Sequence, residues 1–293
     1  MYLLYDVILL LASVVLLPYA LLKGLRHGNG WRGMGERIGF YSRERLADLQ
    51  GKPLIWVHAV SVGEVRAAMP LLRQVKEAYP ESSLILSTMT FTGQTIARNS
   101  GLADLCVFFP YDLSWVARRI FRQLPLDLLV IVETEIWPNF LHEAKKAGIP
   151  IVLVNGRISD RSFPRYKLIR PLLRPVLQNF SSLCMQSETD AQRIHYLGAP
   201  SERVGVPGNL KFDMQVVAPE PARITALKEK FRLPEETMIW VAGSTRSGEN
   251  EILVEAYRQL VAEGLDVVLV LVPRHVDCLL YTSPSPRDRT RSR

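Results

Sequence analysis

Glu64 is the residue of this chain best placed for chemistry, and Ser61, three positions earlier, offers a competing reason for its presence. The string Trp56-Val57-His58-Ala59-Val60-Ser61-Val62-Gly63-Glu64 joins an apolar run to a small-residue turn, and a helical pattern follows from Val65 to Tyr79. Strand, tight turn and helix in that order put a carboxylate where open α/β sheets bind their ligands. Ser61-x-x-Glu64 also has the form of a capping box, in which the two side chains satisfy free N–H groups of a helix start. A carboxylate in a first helical turn is favoured by the helix dipole in any case. The spacing leaves both roles open.

Three further clusters carry reactive side chains. Glu133 and Glu135 follow the apolar run Leu128–Val132. Residues i and i+2 of an extended segment share a face, so both carboxylates could line one cleft or simply be solvated at a strand end. A divalent metal would need more ligands than these two supply. Lys211, in Gly208-Asn209-Leu210-Lys211-Phe212-Asp213, could reach an anionic substrate or stand as a surface lysine. Pro273-Arg274 and Gly243-Ser244-Thr245 each follow an apolar run, where they suit a nucleotide phosphate or base, or mark strand ends and nothing more.

The elements that must hold these residues alternate along the chain. Strands are expected at Leu54–Ala59, Ser83–Ser87, Leu105–Phe109, Leu128–Val132, Ile151–Asn155, Leu183–Gln186 and Val204–Val206. Helices are expected between them at Val65–Tyr79, Gly93–Asn99, Trp115–Gln123, Pro138–Ala147, Tyr166–Asn179 and Glu188–Leu197. Such alternation implies right-handed βαβ crossovers and a parallel sheet. The segment Val216–Arg223, with Pro219 and Pro221, reads as a hinge. Beyond it the grammar restarts with a strand at Met238–Ala242, a helix at Glu249–Ala262 and a strand at Val267–Val272. The division expected is residues 1–22, 23–214, 215–275 and a tail of 276–293. That tail has no periodicity and carries Arg287, Arg289, Arg291 and Arg293; it is expected to be foreign to the native reading frame.

Composition narrows the partners. With 48% hydrophobic residues, 293 residues suffice for a packed core, which excludes a disordered chain. Three scattered cysteines, Cys106, Cys184 and Cys278, form neither a disulfide framework nor a zinc spacing. The net charge of +7 calls for an anionic partner. Tyr2 to Leu22 is apolar apart from Asp6 and Ser13, and a helix of that length reaches about 30 Å, the thickness of a bilayer's hydrocarbon core. Lys23, Arg26, His27, Arg32 and Arg37 follow, a flank expected on the cytoplasmic side. The helix either spans the membrane or lies in its interface or against the protein, since Asp6 and Pro18 interrupt it. Either membrane placement brings the basic face to anionic lipid. Nucleic acid is not expected, for no RNP motif, C2H2 spacing or basic–aromatic sheet is present.

Taken in order, the clusters resemble the 3-deoxy-D-manno-octulosonic acid (Kdo) transferases of lipopolysaccharide assembly. The resemblance rests on HAVSVGE at 58–64, STMTFTGQ at 87–94, FPYD at 109–112 and ETEIWPN at 133–139. It continues through NGRISDRS at 155–162, GNLKFD at 208–213 and LVPRH at 271–275, with Gly35 to Tyr41 resembling the family's post-anchor element. It implies an α/β fold of GT-B type, with two Rossmann-like parallel-sheet lobes and an N-terminal membrane anchor at the cytoplasmic face of the inner membrane. It implies inverting, metal-independent transfer of Kdo from CMP-Kdo to lipid IVA, without a cofactor. The family's proton acceptor falls on Glu64, its transition-state stabilisers on Glu133 and Lys211, and its CMP contacts on Pro273 and Arg274. The family continues past His275 with most of its donor lobe, so a second lobe begun but not completed is expected here. A lipid A precursor-binding module without catalysis, or a GT-B enzyme using another nucleotide sugar, are the alternatives.

Overall fold

A computed structural model of the chain describes residues 1–13, 33–47, 49–213, 219–233, 237–246 and 248–274. The chain divides into two compact units, Met1–Gln215 and Val216–Arg293.

The first unit is built on seven parallel strands: β1 (Leu54–His58), β2 (Ser83–Thr88), β3 (Leu105–Phe108), β4 (Leu128–Val132), β5 (Ile151–Gly156), β6 (Ser182–Met185) and β7 (Val204–Gly205). Their order in the sheet is β3-β2-β1-β4-β5-β6-β7. Chain direction across the sheet reverses between β1 and β4, the switch point at which doubly wound sheets open a crevice for ligands. The apolar runs have no polar alternation because both faces are covered, as parallel sheets require. Leu54 and Trp56 point into one core with Ile85, Leu129 and Phe140; Ile55 and Val57 point into the other with Leu84, Leu86 and Val132.

Two aspartates lock the rim at which the strands begin. Asp127, just before β4, accepts the Leu54 N–H at 2.7 Å and the Lys52 ammonium at 3.0 Å. Asp104, just before β3, does the same for the Leu84 N–H and Lys76, at 2.7 and 2.8 Å. Each pins the neighbouring strand within its first two residues, Leu54 of β1 and Leu84 of β2, and so helps set the register.

Around the sheet, α1 (residues 2–13), α2 (Met34–Arg37) and α3 (Arg43–Ala47) precede β1. Short as they are, α2 and α3 cover a sheet edge. The Glu36 carboxylate accepts the Phe108 N–H of edge strand β3 at 2.7 Å, and Arg45 pairs with Glu36 while donating to the Cys106 carbonyl at 2.8 Å. The crossover helices are α4 (Val62–Ala78), α5 (Phe91–Asn99), α6 (Ser114–Gln123), α7 (Pro138–Lys146), α8 (Phe163–Leu168), α9 (Arg170–Leu177) and α10 (Glu188–Leu197). Where one helix is expected over Tyr166–Asn179, the structure has two, parted at Ile169. Pro171, within the first two positions of α9, has no N–H to continue the ladder of α8.

Helix α1 packs on this unit through one face. Asp6 accepts from the Ser114 N–H at 3.0 Å, the Ser114 hydroxyl at 2.5 Å and Asn139 Nδ2 at 2.8 Å. The Tyr2 ring stacks on His142 at 3.8 Å. Leu3, Leu4, Ile8 and Leu11, on the opposite face, are all more than half exposed. Among the described residues no helix is long and apolar enough to cross a membrane, and residues 14–22 of the expected anchor lie outside them.

The second unit holds α11 (Pro221–Phe231), β8 (Met238–Thr245), α12 (Glu249–Ala262) and β9 (Val267–Pro273), with β8 and β9 parallel. The hinge expected over Val216–Arg223 gives way to α11 at Pro221, since proline is well suited to a first helical position. Residues 214–218 and the expected tail 276–293 lie outside the described residues.

Candidate active site

Glu64 sits in the first turn of α4, at the carboxyl end of β1. Its side chain is buried, at 8% exposure. One carboxylate oxygen accepts the Val60 N–H at 2.7 Å and the other the Ser61 hydroxyl at 2.9 Å. This is half of a capping box: Ser61 makes no side-chain bond to the helix backbone, while the Glu64 carboxylate reaches back to the turn before its helix. Burial raises the Glu64 pKa, hydrogen bonds from the Val60 backbone and from the Ser61 hydroxyl and backbone offset part of the rise, and the charge of Glu133 adds to it. A carboxylate shifted in this way is a better proton acceptor than an ordinary glutamate.

Gly63 beside it needs no special backbone. A Cβ there would meet nothing closer than Ser61 Oγ at 3.9 Å. Packing therefore does not demand glycine at this position.

Glu133 follows β4 on the other side of the switch point. Its φ is +61°, in the left-handed region that a glutamate rarely adopts, and its N–H donates to the Val154 carbonyl at 2.8 Å. Left-handed non-glycine residues cluster at functional sites, where surrounding structure holds the strain. Here the clamp is Thr134, whose hydroxyl donates to the Arg157 carbonyl and accepts the Arg157 N–H at 2.9 Å. Glu135 is half-buried in the same bay. Burial first, then the charges of Glu64 and Glu133, push it up to about 7. The three acids thus share one electrostatic neighbourhood at the ends of β1 and β4. Among the described residues no group of acids, histidines and cysteines is arranged to hold a metal ion.

Lys211 lies in a 3-10 turn, Leu210–Asp213, that packs against α4, the helix bearing Glu64. Its side chain is exposed. Pro273 closes β9 and Arg274 follows with its N–H on the Thr245 carbonyl at 3.0 Å; both belong to the second unit. The structure therefore brings Glu64, Glu133 and the Lys211 turn together at one rim of the first unit's sheet.

His58, in the same motif as Glu64, takes a supporting role. It is fully buried, stacked on Phe109 at 3.7 Å, with Nδ1 3.0 Å from Ser87 Oγ. Burial lowers its pKa to about 3, so it stays neutral. Asp112 of FPYD is likewise structural: it accepts the Phe140 N–H at 2.7 Å and the Asn139 N–H at 3.3 Å, closing the start of α7. Neither role is readable from residue spacing, since each depends on a partner about thirty positions away.

A seven-stranded parallel sheet with its acids at the switch point, followed by a second parallel-sheet unit, is an α/β fold of GT-B type. Among solved structures, a glycosyltransferase from Rickettsia africae has the same fold with a TM-score of 0.55 at 14% identity, over 78% of this chain and 63% of that one. UDP-GlcNAc 2-epimerase from Neisseria meningitidis also scores 0.55, at 12% identity, over 81% of this chain and 67% of that one. In sequence, the family model described as 3-Deoxy-D-manno-octulosonic-acid transferase (kdotransferase) matches residues 32–214. The 3-deoxy-D-manno-octulosonic acid transferase of Haemophilus influenzae is 33% identical over 272 residues, 92% of this chain and 62% of its own length. A bifunctional glycosyltransferase/methyltransferase of Fusobacterium nucleatum is 38% identical over 257 residues, 84% of this chain and 39% of its own length. The chain belongs to the Kdo transferase family and spans 62% of the length of its Haemophilus relative.

Proposed function

We propose that this protein transfers Kdo from CMP-Kdo to lipid IVA with inversion, and that Glu64 is its general base. The observation that carries the reading is the buried Glu64 carboxyl at the carboxyl end of β1, its pKa raised, with Glu133 across the switch point. Glu64 takes the proton of the acceptor's sugar hydroxyl as that oxygen bonds to the anomeric carbon of Kdo. The bond from this carbon to the donor phosphate breaks, and CMP departs with the electron pair. Glu133 and Lys211 stabilise the charge that develops, and Pro273 and Arg274 hold the CMP moiety. The mechanism calls on no metal and no cofactor.

The acceptor is a lipid, and the first unit offers a surface suited to its membrane. The outer face of α1 presents Leu3, Leu4, Ile8 and Leu11. Asp6 ties that helix to the start of α6, whose Arg118, Arg119 and Arg122 line one surface groove with Trp115. Apolar side chains beside arginines fit the interface of an anionic bilayer, here the cytoplasmic face of the inner membrane, with the N-terminal segment as a single-pass or interfacial anchor.

The test is a mass-shift assay with CMP-Kdo and lipid IVA, run on this chain and on a version extended to its relatives' length. A Kdo adduct on lipid IVA from the extended version supports the reading. No adduct from it defeats the reading, and lipid IVA binding without transfer marks a binding module. For the membrane surface, the chain should sediment with phosphatidylglycerol vesicles and not with phosphatidylcholine vesicles; equal sedimentation would refute the electrostatic part.

A further inference from the structure

Asn155, near the end of β5, has a conformation and a set of bonds that the proposed reaction does not use directly. Its φ is +58°, a left-handed value that asparagine tolerates better than most residues, and its side chain is buried at 2% exposure. Its Oδ1 accepts the Leu210 N–H at 3.1 Å, and its carbonyl accepts Gln186 Nε2 at 3.0 Å. Gln186 Oε1 in turn accepts Asn209 Nδ2 at 3.2 Å, and Asn209 Oδ1 accepts the Lys211 N–H at 3.0 Å. Three side-chain amides thus run from the ends of β5 and β6 to two successive backbone N–H groups, those of Leu210 and Lys211. Gly208, with φ +105°, lets the chain turn into this arrangement.

We infer that Asn155 is a positioning residue for Lys211, its buried amide fixing the turn from which the lysine ammonium reaches the reacting groups. The inference rests on the role proposed above for Lys211. Lysine is long and exposed, so the backbone at its base decides the volume its ammonium can sample. The turn packs on α4, and the Val154 carbonyl, one residue before Asn155, holds the Glu133 N–H. Asn155 therefore joins the lysine's turn to the same sheet rim that sets the two acids. Misplacing a charged group by about 1 Å can cost roughly a hundredfold in rate even when the altered residue never touches substrate.

The test is a double-mutant cycle in the full-length protein, with kcat and the acceptor KM measured for Asn155→Ala, Lys211→Ala and the pair. Expected is a kcat loss of about tenfold or more for Asn155→Ala with KM little changed, and no further loss when it is added to Lys211→Ala. Asn155→Asp keeps the acceptor oxygen and the tolerance of a left-handed φ, and should recover kcat to within about threefold. Should Asn155→Ala fail to fold, Gln186→Met breaks the next link of the chain and should give the same coupling to Lys211. Losses that multiply in the pair, or an unchanged kcat in Asn155→Ala or Gln186→Met, would overturn the inference. A Lys211→Ala variant with full turnover would overturn the role of Lys211 itself, and this inference with it.

Discussion

Val60 donates its backbone N–H to the Glu64 carboxylate over 2.7 Å, tying the helix that carries the acid back to the turn from which it springs. One side chain therefore holds a helix start in place, and the proposed reaction asks the same carboxylate to act as its base. Glu64→Gln separates the two roles, since an amide oxygen can still accept from Val60. Turnover should fall by about 10²- to 10⁴-fold while the melting temperature moves by no more than about 2 °C. Glu64→Ala should lose turnover and, in addition, about 1 kcal/mol of stability measured by urea unfolding. A Gln variant with wild-type turnover would leave Glu64 as a cap alone.

Glu135 makes stability depend on pH. In the unfolded chain it ionises near 4.5, and in the folded chain it is raised to about 7 by burial and the neighbouring acids. Between those values the folded protein keeps a proton that the unfolded chain has lost, so stability falls as pH rises through the window. The cost is absent below the lower value and complete above 7. Glu135→Gln should match the parent at pH 4 and melt about 2–5 °C higher at pH 8, as read by calorimetry at the two pH values.

The removal of Glu133's charge should be visible in the rate profile. That charge is one cause of the raised Glu64 pKa. In Glu133→Gln the residual activity should reach its plateau at lower pH than in the parent, because Glu64 ionises more easily. A rising limb at the parent's position would show that the two carboxylates do not interact.

Asp112 should matter to stability and not to chemistry. Alanine there leaves the N–H groups of Asn139 and Phe140 without their acceptor and should cost about 1–3 kcal/mol in urea unfolding. Burial already raises the Asp112 pKa to about 6, so Asp112→Asn, which gives up a costly buried charge and keeps an acceptor, should cost less than alanine at pH 7.

Asp6 should control the first helix. With Asp6→Ala the Ser114 and Asn139 donors lose their acceptor, and amide exchange over residues 2–13 should speed up at least about tenfold while β1 and β4 stay protected.

Much of this architecture was legible in the residues because apolar runs of strand length separated by helical patterns admit few folds. β4 and α10 fall where the pattern put them, and the acids at 64 and 133 lie on the expected rim. The parting of α8 from α9 at Ile169 was hidden by an apolar face that runs through Pro171, and α11 by prolines that read as a hinge but start a helix. Asp6 read as a flaw in an apolar helix, because its partners, Ser114 and Asn139, are more than a hundred positions away. Asn155, though it opens the NGRISDRS string, and Gln186 carried no readable role: a strand-end amide gains meaning only when the turn at Leu210 folds back onto it.

The locks formed by Asp104 and Asp127 stand where the strands begin, whereas Glu64, Glu133 and the Lys211 turn stand where they end. Robustness and chemistry are thereby housed apart in one scaffold. Evolution, or an engineer, could exchange the segments after β1, β4 and β5 to suit a new ligand while the register clamps go on securing the strands. Conversely, drift at those clamps would erode heat tolerance long before it disturbed the residues at the far ends of the strands.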